Sequence, residues 1–382
     1  MAINIDVRVA RAVQRVNDEG LTLVIFKNAR TSGDNPIRVN TLTELEDNFV
    51  EPATDAAKHE LYCAEYLIRA GVNLLCYSTT EVGTIASGDI DDISDIDTLN
   101  YKFVLVPYSF VGSSDNLLYT FARDNDVQVF VDLDPTKGSA DLTTELDGVT
   151  LSSKLEVFVN SGLPQFVSNY VVDTSDFSGA FVGIPASCAV VARKAALMAA
   201  RKPWVPVAGG INGVIPEFIK LHKKIGTIEK IALQEENLNV LITKMGVGNL
   251  LVSQNTQHDY GDNERDPLVR SHVVTMALWL KRELSKMSYR LLAAPNMQKT
   301  WNQFSLSATS LLNYMLESDG VENFSVAIGE GITMTKEDIN NGIMRVVVNF
   351  LPIRVIESVN MNVIIQQAAD TYDIVIETGG GF

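Results

Sequence analysis

The chain has 382 residues, of which 46% are hydrophobic and 20% charged, and its formal net charge at pH 7 is −16. This length predicts two or three domains, and the acidic balance argues against a nucleic-acid-binding protein, which needs a basic face against phosphate. No segment approaches the roughly 20 apolar residues of a membrane span, and the N-terminus lacks the basic and apolar regions of a secretory signal, so we expect a protein made and kept in a cytoplasm without membrane insertion.

Both ends of the chain have the residue pattern of β-strands. Four apolar residues alternate with polar ones in the first nine positions: Ile3, Ile5, Val7 and Val9. This alternation places them on one face of a strand, and residues 372–377 form a second apolar strand near the C-terminus. Terminal segments fray unless something ties them down. We therefore predict arms over residues 1–19 and 371–382 that either pair within the chain or are lent to neighbouring subunits.

Residues 20–205 alternate between strand and helix. Strands are predicted at 21–26, 72–77, 101–106 and 127–131, and helices at 52–70 and 117–122. The last two strands are continuously apolar, as expected for strands buried on both faces. The pattern predicts an α/β domain with a largely parallel sheet. The acidic segment 89–97 is predicted to be a solvated connector, because it lacks the turn glycine and the closing glutamate of a calcium loop.

A turn rich in proline and glycine at 202–210 interrupts this alternation and predicts a domain junction. The second domain, 206–370, is predicted to be α+β, with long helices at 268–292 and 301–316. Strands follow at 324–328, 344–350 and 353–365. The last two are predicted to pair with each other around Leu351 and Pro352, so the chain as a whole is α+β.

The best catalytic candidate is the segment 129–136, in which an apolar strand leads to Asp132 and Asp134. Its D-x-D-x-T order resembles the first motif of haloacid-dehalogenase phosphatases, which implies a nucleophilic aspartate, an acid/base aspartate and a magnesium ion. A structural Asp-Pro turn explains the same residues with fewer demands. The cysteines and histidines lack metal-ligand spacing, and no phosphate-binding glycine loop occurs. We expect no enzyme, cofactor or metal, with the magnesium-dependent phosphatase as the alternative.

The second domain contains an ordered set of motifs. It opens with Pro-Trp-x-Pro-x-Ala-Gly at 203–209, followed by a Leu-Asn helix end at 238–241 and a glycine turn into a strand at 250–252. A basic amphipathic helix then leads to Ala-Ala-Pro-Asn at 293–296, Thr-Trp at 300–301 and a closing β-segment at 346–365. This order resembles the contractile-tail sheath proteins of bacteriophages and of related phage-tail-like bacteriocins, over residues 100–370.

The resemblance implies a mechanical function. In this family, subunits stack as rings into a helical sleeve around an inner tube, and the sleeve contracts to drive the tube through the target envelope. The implied partners are other copies of the chain, the inner tail tube protein, and baseplate and tail-terminator proteins. The implied location is a virion tail or tail-like particle assembled in the bacterial host cytoplasm.

The resemblance also implies a C-terminal domain whose sheet accepts one terminal strand from each of two neighbours. The residues that we predict to take part in this strand exchange are Ile3, Ile5, Val7, Val9, Val346, Val348, Ile364, Ile374 and Ile376. A tube-binding surface is predicted on the basic side of the helix at 268–292, opposite an acidic tube. Its candidates are Lys281, Arg282, Lys286 and Arg290; a solvated helix face is the alternative for these four residues.

Overall fold

A computed structural model describes residues 20–31, 35–49, 54–96, 101–107, 116–134, 152–166, 183–259 and 266–356, a few positions between 137 and 146, and the backbone of 361–366 and 371–376. The strands are β1 (Thr22–Phe26), β2 (Ile37–Val39), β3 (Leu74–Ser78), β4 (Phe103–Leu105), β5 (Gln128–Asp132), β6 (Leu155–Val159), β7 (Ser161–Pro164), β8 (Ile184–Pro185), β9 (Phe218–Leu221), β10 (Asn239–Lys244), β11 (Gly248–Leu251), β12 (Val321–Ala327), β13 (Val347–Pro352), β14 (Met361–Gln366) and β15 (Thr371–Ile376).

Ten α-helices lie in the described part of the chain. They are α1 (Leu42–Asn48), α2 (Asp55–Arg69), α3 (Ser87–Asp95), α4 (Asn116–Asp124), α5 (Ala186–Ala199), α6 (Gly209–Asn212), α7 (Thr227–Glu235), α8 (Ser271–Tyr289), α9 (Gln298–Glu317) and α10 (Lys336–Asn340). A 3-10 turn, Pro267–Val269, precedes α8. None of these helices is both long and apolar enough to cross a membrane.

An eight-stranded sheet forms the centre of the fold, in the order β11-β10-β6-β5-β4-β1-β3-β2. The six inner strands run parallel, whereas β2 and β11 close the two edges antiparallel. The predicted α/β fold with a largely parallel sheet is confirmed. The inner strands β1, β4, β5 and β6 are fully buried, because helices cover both faces of a doubly wound sheet.

Two hydrophobic clusters fill the two faces of the sheet. The first contains buried residues of α2 and α5 and continues without a break into α8 and α9. The second lies beneath α3, α4 and α7. The two long helices of the C-terminal half therefore pack onto the same core as the helices of the N-terminal half.

The predicted domain boundary at 205/206 does not fall at an edge of the sheet. β10 and β11 lie beyond it in sequence, yet β10 pairs with β6 through Asn239↔Phe158 and Val240↔Val159. The side chain of Asn160 reinforces this pairing by donating to the Leu241 carbonyl at 2.9 Å. The turn at 202–210 interrupts the alternation of strands and helices, and β10 and β11 then return to the first sheet.

The acidic segment 89–97 is wrongly predicted as a solvated loop, because most of it belongs to α3. Asp89 is fully buried. Its carboxylate accepts from the Ala86 and Thr80 amides, both at 2.8 Å, and from the Tyr77 hydroxyl at 3.1 Å. A carboxylate that satisfies backbone amides at the first turn stabilises a helix start. One aspartate of this run, Asp89, therefore caps the N-terminus of α3.

The predicted pairing of 344–350 with 353–365 is also wrong. β13 instead pairs with β12 in antiparallel register, with Phe350 opposite Phe324. β14 pairs with β15, again antiparallel. The proline at 352 lies at the end of β13, and the chain continues to residue 356 without strand structure, so no tight hairpin forms there.

A close backbone approach near β7 requires glycine at position 183. Gly183 has φ +98°, and an added Cβ would lie 2.7 Å from the Gly162 carbonyl oxygen. We expect Gly183→Ala to lower the free energy of unfolding by about 1–3 kcal/mol, because strain at such a conformation adds to the clash. Gly88→Ala is the control, since its Cβ would meet nothing within 4 Å and a helical position favours alanine by up to about 1 kcal/mol. Urea denaturation measures both; equal stability of the two variants would contradict the assignment.

Candidate assembly surface

Two separate two-stranded sheets form the C-terminal part of the described chain, β12–β13 and β14–β15. Their registers run from Val321↔Pro352 to Ala327↔Val347 and from Met361↔Ile376 to Gln366↔Thr371. Among the residues that the structure describes, neither pair is joined to a third strand. An isolated pair of strands is marginally stable in water. Within the described chain the outer edges of both pairs carry no further strand, and such edges can accept an added strand.

β13 presents its two faces differently. Val348 is half-buried and packs against the main core, as do Phe350 and, across the ladder, Phe324. Val347 and Leu351 point the other way and are exposed. The strand is thus anchored by one face, while its other face and its outer edge lie at the surface.

The predicted strand-exchange residues fall in different places. Val346 precedes β13 by one residue and Val348 lies within it. Ile364 lies on β14, and Ile374 and Ile376 lie on β15. The C-terminal strand is therefore paired with β14 of its own chain, which is the internal pairing that the sequence left open. Ile3, Ile5, Val7 and Val9 lie outside the described residues.

The Pro-Trp turn fixes the helices that support β12. The buried Trp204 ring lies 5.9 Å from the Trp279 ring of α8 and 5.7 Å from the Tyr314 ring of α9, centroid to centroid. Its Nε1 donates to the Ser318 carbonyl at 2.8 Å. A Cβ on Gly320 would lie 2.8 Å from the indole ring. One side chain thus joins α8, α9 and the residue that leads into β12.

The Ala-Ala-Pro-Asn and Thr-Trp motifs fix the segment that leads into β13. Asn296 donates from Nδ2 to the carbonyls of Ile339 and Ile343, at 3.2 and 3.3 Å. Its Oδ1 accepts from Trp301 Nε1 at 2.7 Å. These bonds attach the turn between α8 and α9 to the end of α10. The motifs that carry the family resemblance therefore position the β12–β13 pair.

The four predicted tube-contact residues differ in their exposure to solvent. Arg282 is only 4% exposed, and its guanidinium donates to the Asp126 carbonyl. The prediction is wrong for this residue, because its cationic end is used to attach α8 to the turn between α4 and β5. Lys281 is largely exposed, with Nζ 2.6 Å from the Asp126 carboxylate.

The other two candidates lie nearer the end of α8. Lys286 is partly exposed and pairs with Glu283 of the same helix, with Nζ 2.6 Å from Oε1. Arg290 lies at the rim of a cleft between α8 and α9 that Met287 and Phe304 also line. The structure thus leaves Lys281, Lys286 and Arg290 at the surface and does not gather them around one site.

A buried polar network connects the sheet to α5 and α8. Lys194 Nζ lies 2.9 Å from Glu156 Oε1, and both side chains are at most 5% exposed. Lys194 also donates to Ser271 and to Thr275, and Ser271 Oγ donates to Glu156 at 2.6 Å. Gln128 Nε2 donates to Glu156 at 3.1 Å. Sequence reasoning missed this network, although a single charged residue in an apolar strand and another in an alanine-rich helix are a signal for a buried pair.

The same network surrounds a neutral histidine at the start of α8. Burial, together with the charges of Lys194 and Arg270, lowers the pKa of His272 to about 4. The imidazole is therefore uncharged at neutral pH. The network carries one cation–carboxylate pair at its centre.

Asp132 has a structural role in the described fold. It is buried at the end of β5, where it accepts from the Ser187 amide at 3.1 Å and from the Ser187 hydroxyl. This attaches β5 to the first turn of α5 and agrees with a structural reading of the motif. Asp134 follows β5. In the part of the chain that the structure describes, no group of three or more His, Cys, Asp or Glu side chains could hold a metal ion.

Burial raises the pKa of Asp132 to about 7, although the two bonds from Ser187 lower it. Between about pH 4 and pH 7 the folded protein holds a proton on this carboxyl that the unfolded chain has released, so this group makes the fold less stable as pH rises. We expect the free energy of unfolding of the wild type to fall relative to Asp132→Asn by about 2–3 kcal/mol between pH 5 and pH 8. Urea titrations at each pH measure this difference; parallel curves would refute the assignment.

No protein-family model and no curated protein matches the chain. Among solved structures, a chain of the anti-feeding prophage (AFP) baseplate is similar with a TM-score of 0.70 and 15% identity, over 92% of this chain and 94% of that chain.

Two further structures come from sheaths. The sheath complex of the extracellular contractile injection system PVC, in its contracted state, has a TM-score of 0.68 and 17% identity, covering 92% of each chain. A sheath tail protein from Desulfitobacterium hafniense has a TM-score of 0.54 and 9% identity, over 88% of this chain and 97% of that chain. The similarity spans nearly the whole chain and includes both halves. The protein thus has the fold of contractile-sheath proteins, as its sequence resemblance predicts.

Proposed function

We propose that this chain is the protomer of a contractile sheath, which polymerises helically around an inner tail tube and contracts to drive the tube through the host envelope. The observation that carries the proposal is the presence of two incomplete two-stranded sheets on a subunit with the sheath fold. An open strand edge on an otherwise well-packed protein is suited to joining subunits.

Strand exchange supplies the joint. An added strand forms about five backbone hydrogen bonds, each worth about 0.5–1.5 kcal/mol net, together with apolar burial. Such a contact uses different surfaces on the two subunits, and repeated contacts of this kind build a ring or a helical filament. In this proposal the arm at 1–19 of one subunit is added to the β12–β13 or β14–β15 edge of a neighbour, with Ile3, Ile5, Val7 and Val9 on one face.

The mechanical role needs no nucleotide. The chain contains no Walker loop, so we place the energy for contraction in a metastable extended lattice. We propose a non-enzymatic protein in which residues 20–205, together with β10 and β11 of the same sheet, form the outer part of the sleeve and the rest of 206–370 forms its core. Its partners are other copies of itself, the inner tube, the baseplate and the tail terminator, in a virion tail or tail-like particle assembled in the host cytoplasm.

Microscopy of the concentrated protein tests the proposal. Negative-stain images should show sleeves of stacked rings, formed without ATP or added metal. A protein that stays monomeric at all concentrations, with and without tubes, would refute it. Turnover of a small phosphoester that Asp132→Asn abolishes would instead revive the phosphatase alternative.

Tube binding is expected to depend on the exposed cations at the end of α8. Lys286→Glu/Arg290→Glu should reduce co-sedimentation with tubes about tenfold at low salt, because reversing a contact charge introduces repulsion against an acidic tube. Arg282→Gln is a contrasting variant, since its side chain is buried and its loss should lower stability. Normal decoration of tubes by the double variant would show that the solvated-face alternative is correct.

A further inference from the structure

Exposed apolar side chains lie on the elements that adjoin β10 and β11, at one edge of the eight-stranded sheet. We name this surface the β11-edge patch, and its most exposed members are Met245 (99%), Ile211 (89%), Ile228 (86%) and Ile219 (64%). Large apolar side chains scattered singly over a surface are ordinary, but several on adjoining elements are typical of an interaction site.

The elements that carry the patch are bonded to one another. The Ile215 amide donates to the Asn249 carbonyl at 2.8 Å, and Asn249 Nδ2 donates to the Phe218 carbonyl at 2.7 Å. These bonds hold the segment between α6 and β9 against β11. On the other side, α7 packs on β10, and Glu229 of α7 pairs with Lys223, with Nζ 2.6 Å from Oε1. The members of the patch therefore lie on elements that adjoin β10 and β11.

The patch is basic on a strongly acidic protein. Residues 211–248, which carry all four side chains, contain five lysines and four glutamates, a formal charge of +1, in a chain whose total is −16. Lys220, Lys224 and Lys244 are exposed among the apolar side chains. A surface that combines apolar residues with this sign of charge is complementary to an acidic surface with apolar contacts.

The opposite end of the same sheet provides such a surface. Residues 79–96 contain five acidic residues and no lysine, arginine or histidine. Glu81, Asp91 and Asp95 are exposed, and Val82 beside them is 69% exposed. This segment lies next to β3, near the β2 edge, whereas the β11-edge patch lies at the far end of the strand order.

We propose that the β11-edge patch binds the acidic α3 surface of a second copy of this chain, so that subunits join head to tail through opposite ends of their sheets. The proposal deepens the self-assembly proposed above and rests on it, but this contact does not use the terminal arms. Because the two surfaces differ, the contact leaves one of each unoccupied after every addition and propagates in a ring or helix.

Charge reversal tests the contact in both directions. The triple variant Lys220→Glu/Lys224→Glu/Lys244→Glu should raise the critical concentration for polymerisation about tenfold or more, because like charges then face each other. A control with the same change in net charge reverses three exposed lysines elsewhere: Lys202, Lys299 and Lys336. The control should polymerise near the wild-type concentration.

The reciprocal variant distinguishes a specific contact from an effect of net charge. The triple variant Glu81→Lys/Asp91→Lys/Asp95→Lys should also polymerise poorly on its own. An equimolar mixture of the two triple variants should regain assembly, because each patch then meets a surface of opposite charge. Failure of the mixture to assemble, while each variant keeps its wild-type melting temperature, would overturn the proposal.

Cross-linking gives a readout that does not require sleeves. The three native cysteines are fully buried, so a short bismaleimide should couple a Lys244→Cys chain only to an Asp91→Cys chain, giving a heterodimer. A heterodimer without sleeves would support the patch and refute the sheath proposal. Sleeves with no heterodimer would refute the patch and leave the sheath proposal standing.

Discussion

Removal of residues 1–19 is expected to leave a folded subunit that no longer forms sleeves. The described fold begins at Gly20, which packs against Ala195 of α5, and β1 starts at Thr22 in the middle of the sheet. The described core is built from residue 20 onward, so we expect it to fold without the arm, whereas the proposed strand addition to a neighbour requires the arm. We expect a melting temperature within a few degrees of the wild type and complete loss of sedimenting polymer.

Two further chains make this test specific. In the full-length chain, replacement of the four apolar arm residues by serine keeps the arm length but removes its apolar face, and should also abolish sleeves. Deletion of residues 371–382 removes β15 and leaves β14 without its partner, so it should impair assembly as well. Sleeves of normal diameter from the chain lacking 1–19 would show that strand donation by this arm is not the joint.

Replacement of Lys194 by alanine is expected to lower the free energy of unfolding by about 3–5 kcal/mol. It would leave the Glu156 carboxylate buried without its cation at the centre of the sheet. Burial already lowers the pKa of Lys194, and Glu156 opposes that shift, which shows how far the ammonium depends on this partner. A loss of this size is a large fraction of the stability of a typical domain.

A matched double variant separates the ion pair from packing. Lys194→Met/Glu156→Leu removes both charges and retains most of the volume, so it should be far closer to the wild type than either single alanine variant. Guanidinium denaturation monitored by tryptophan fluorescence measures all of them. If the double variant is as unstable as Lys194→Ala, lost packing and not an uncompensated charge is the cause.

The sequence predicts the inner sheet well because its local signals agree with its environment. The segments 21–26 and 127–131 are short apolar runs, and a strand buried on both faces needs no other pattern. The spacing of apolar residues over 268–292 predicts the helix that the structure has at Ser271–Tyr289. Its basic face was misread for Arg282, because a long cationic side chain can cross an apolar surface to reach a carbonyl on another element.

Other features depend on contacts between distant segments. The return of β10 and β11 to the first sheet is decided by pairing with β6, some 80 residues earlier, which no local pattern encodes. The pairing of β13 with β12 across α10 has the same origin. For the candidate site, the Trp204 and Asn296 motifs were located correctly in sequence, but their role in supporting β12 and β13 appears only when α8 and α9 are packed together.

The pairing of β10 with β6 limits how a subunit of the proposed sheath can change shape. A subunit with two domains joined by a hinge could lengthen by separating the domains. Here, the chain beyond residue 205 returns to the parallel sheet through β10. Separation would therefore break the β6–β10 pairing, the Asn160 hydrogen bonds and the shared hydrophobic core together. We expect such a subunit to resist internal extension and to rotate as one rigid body. In the proposed sheath, we expect shortening to come from rotation of rigid subunits about their contacts, with the stored free energy in those contacts.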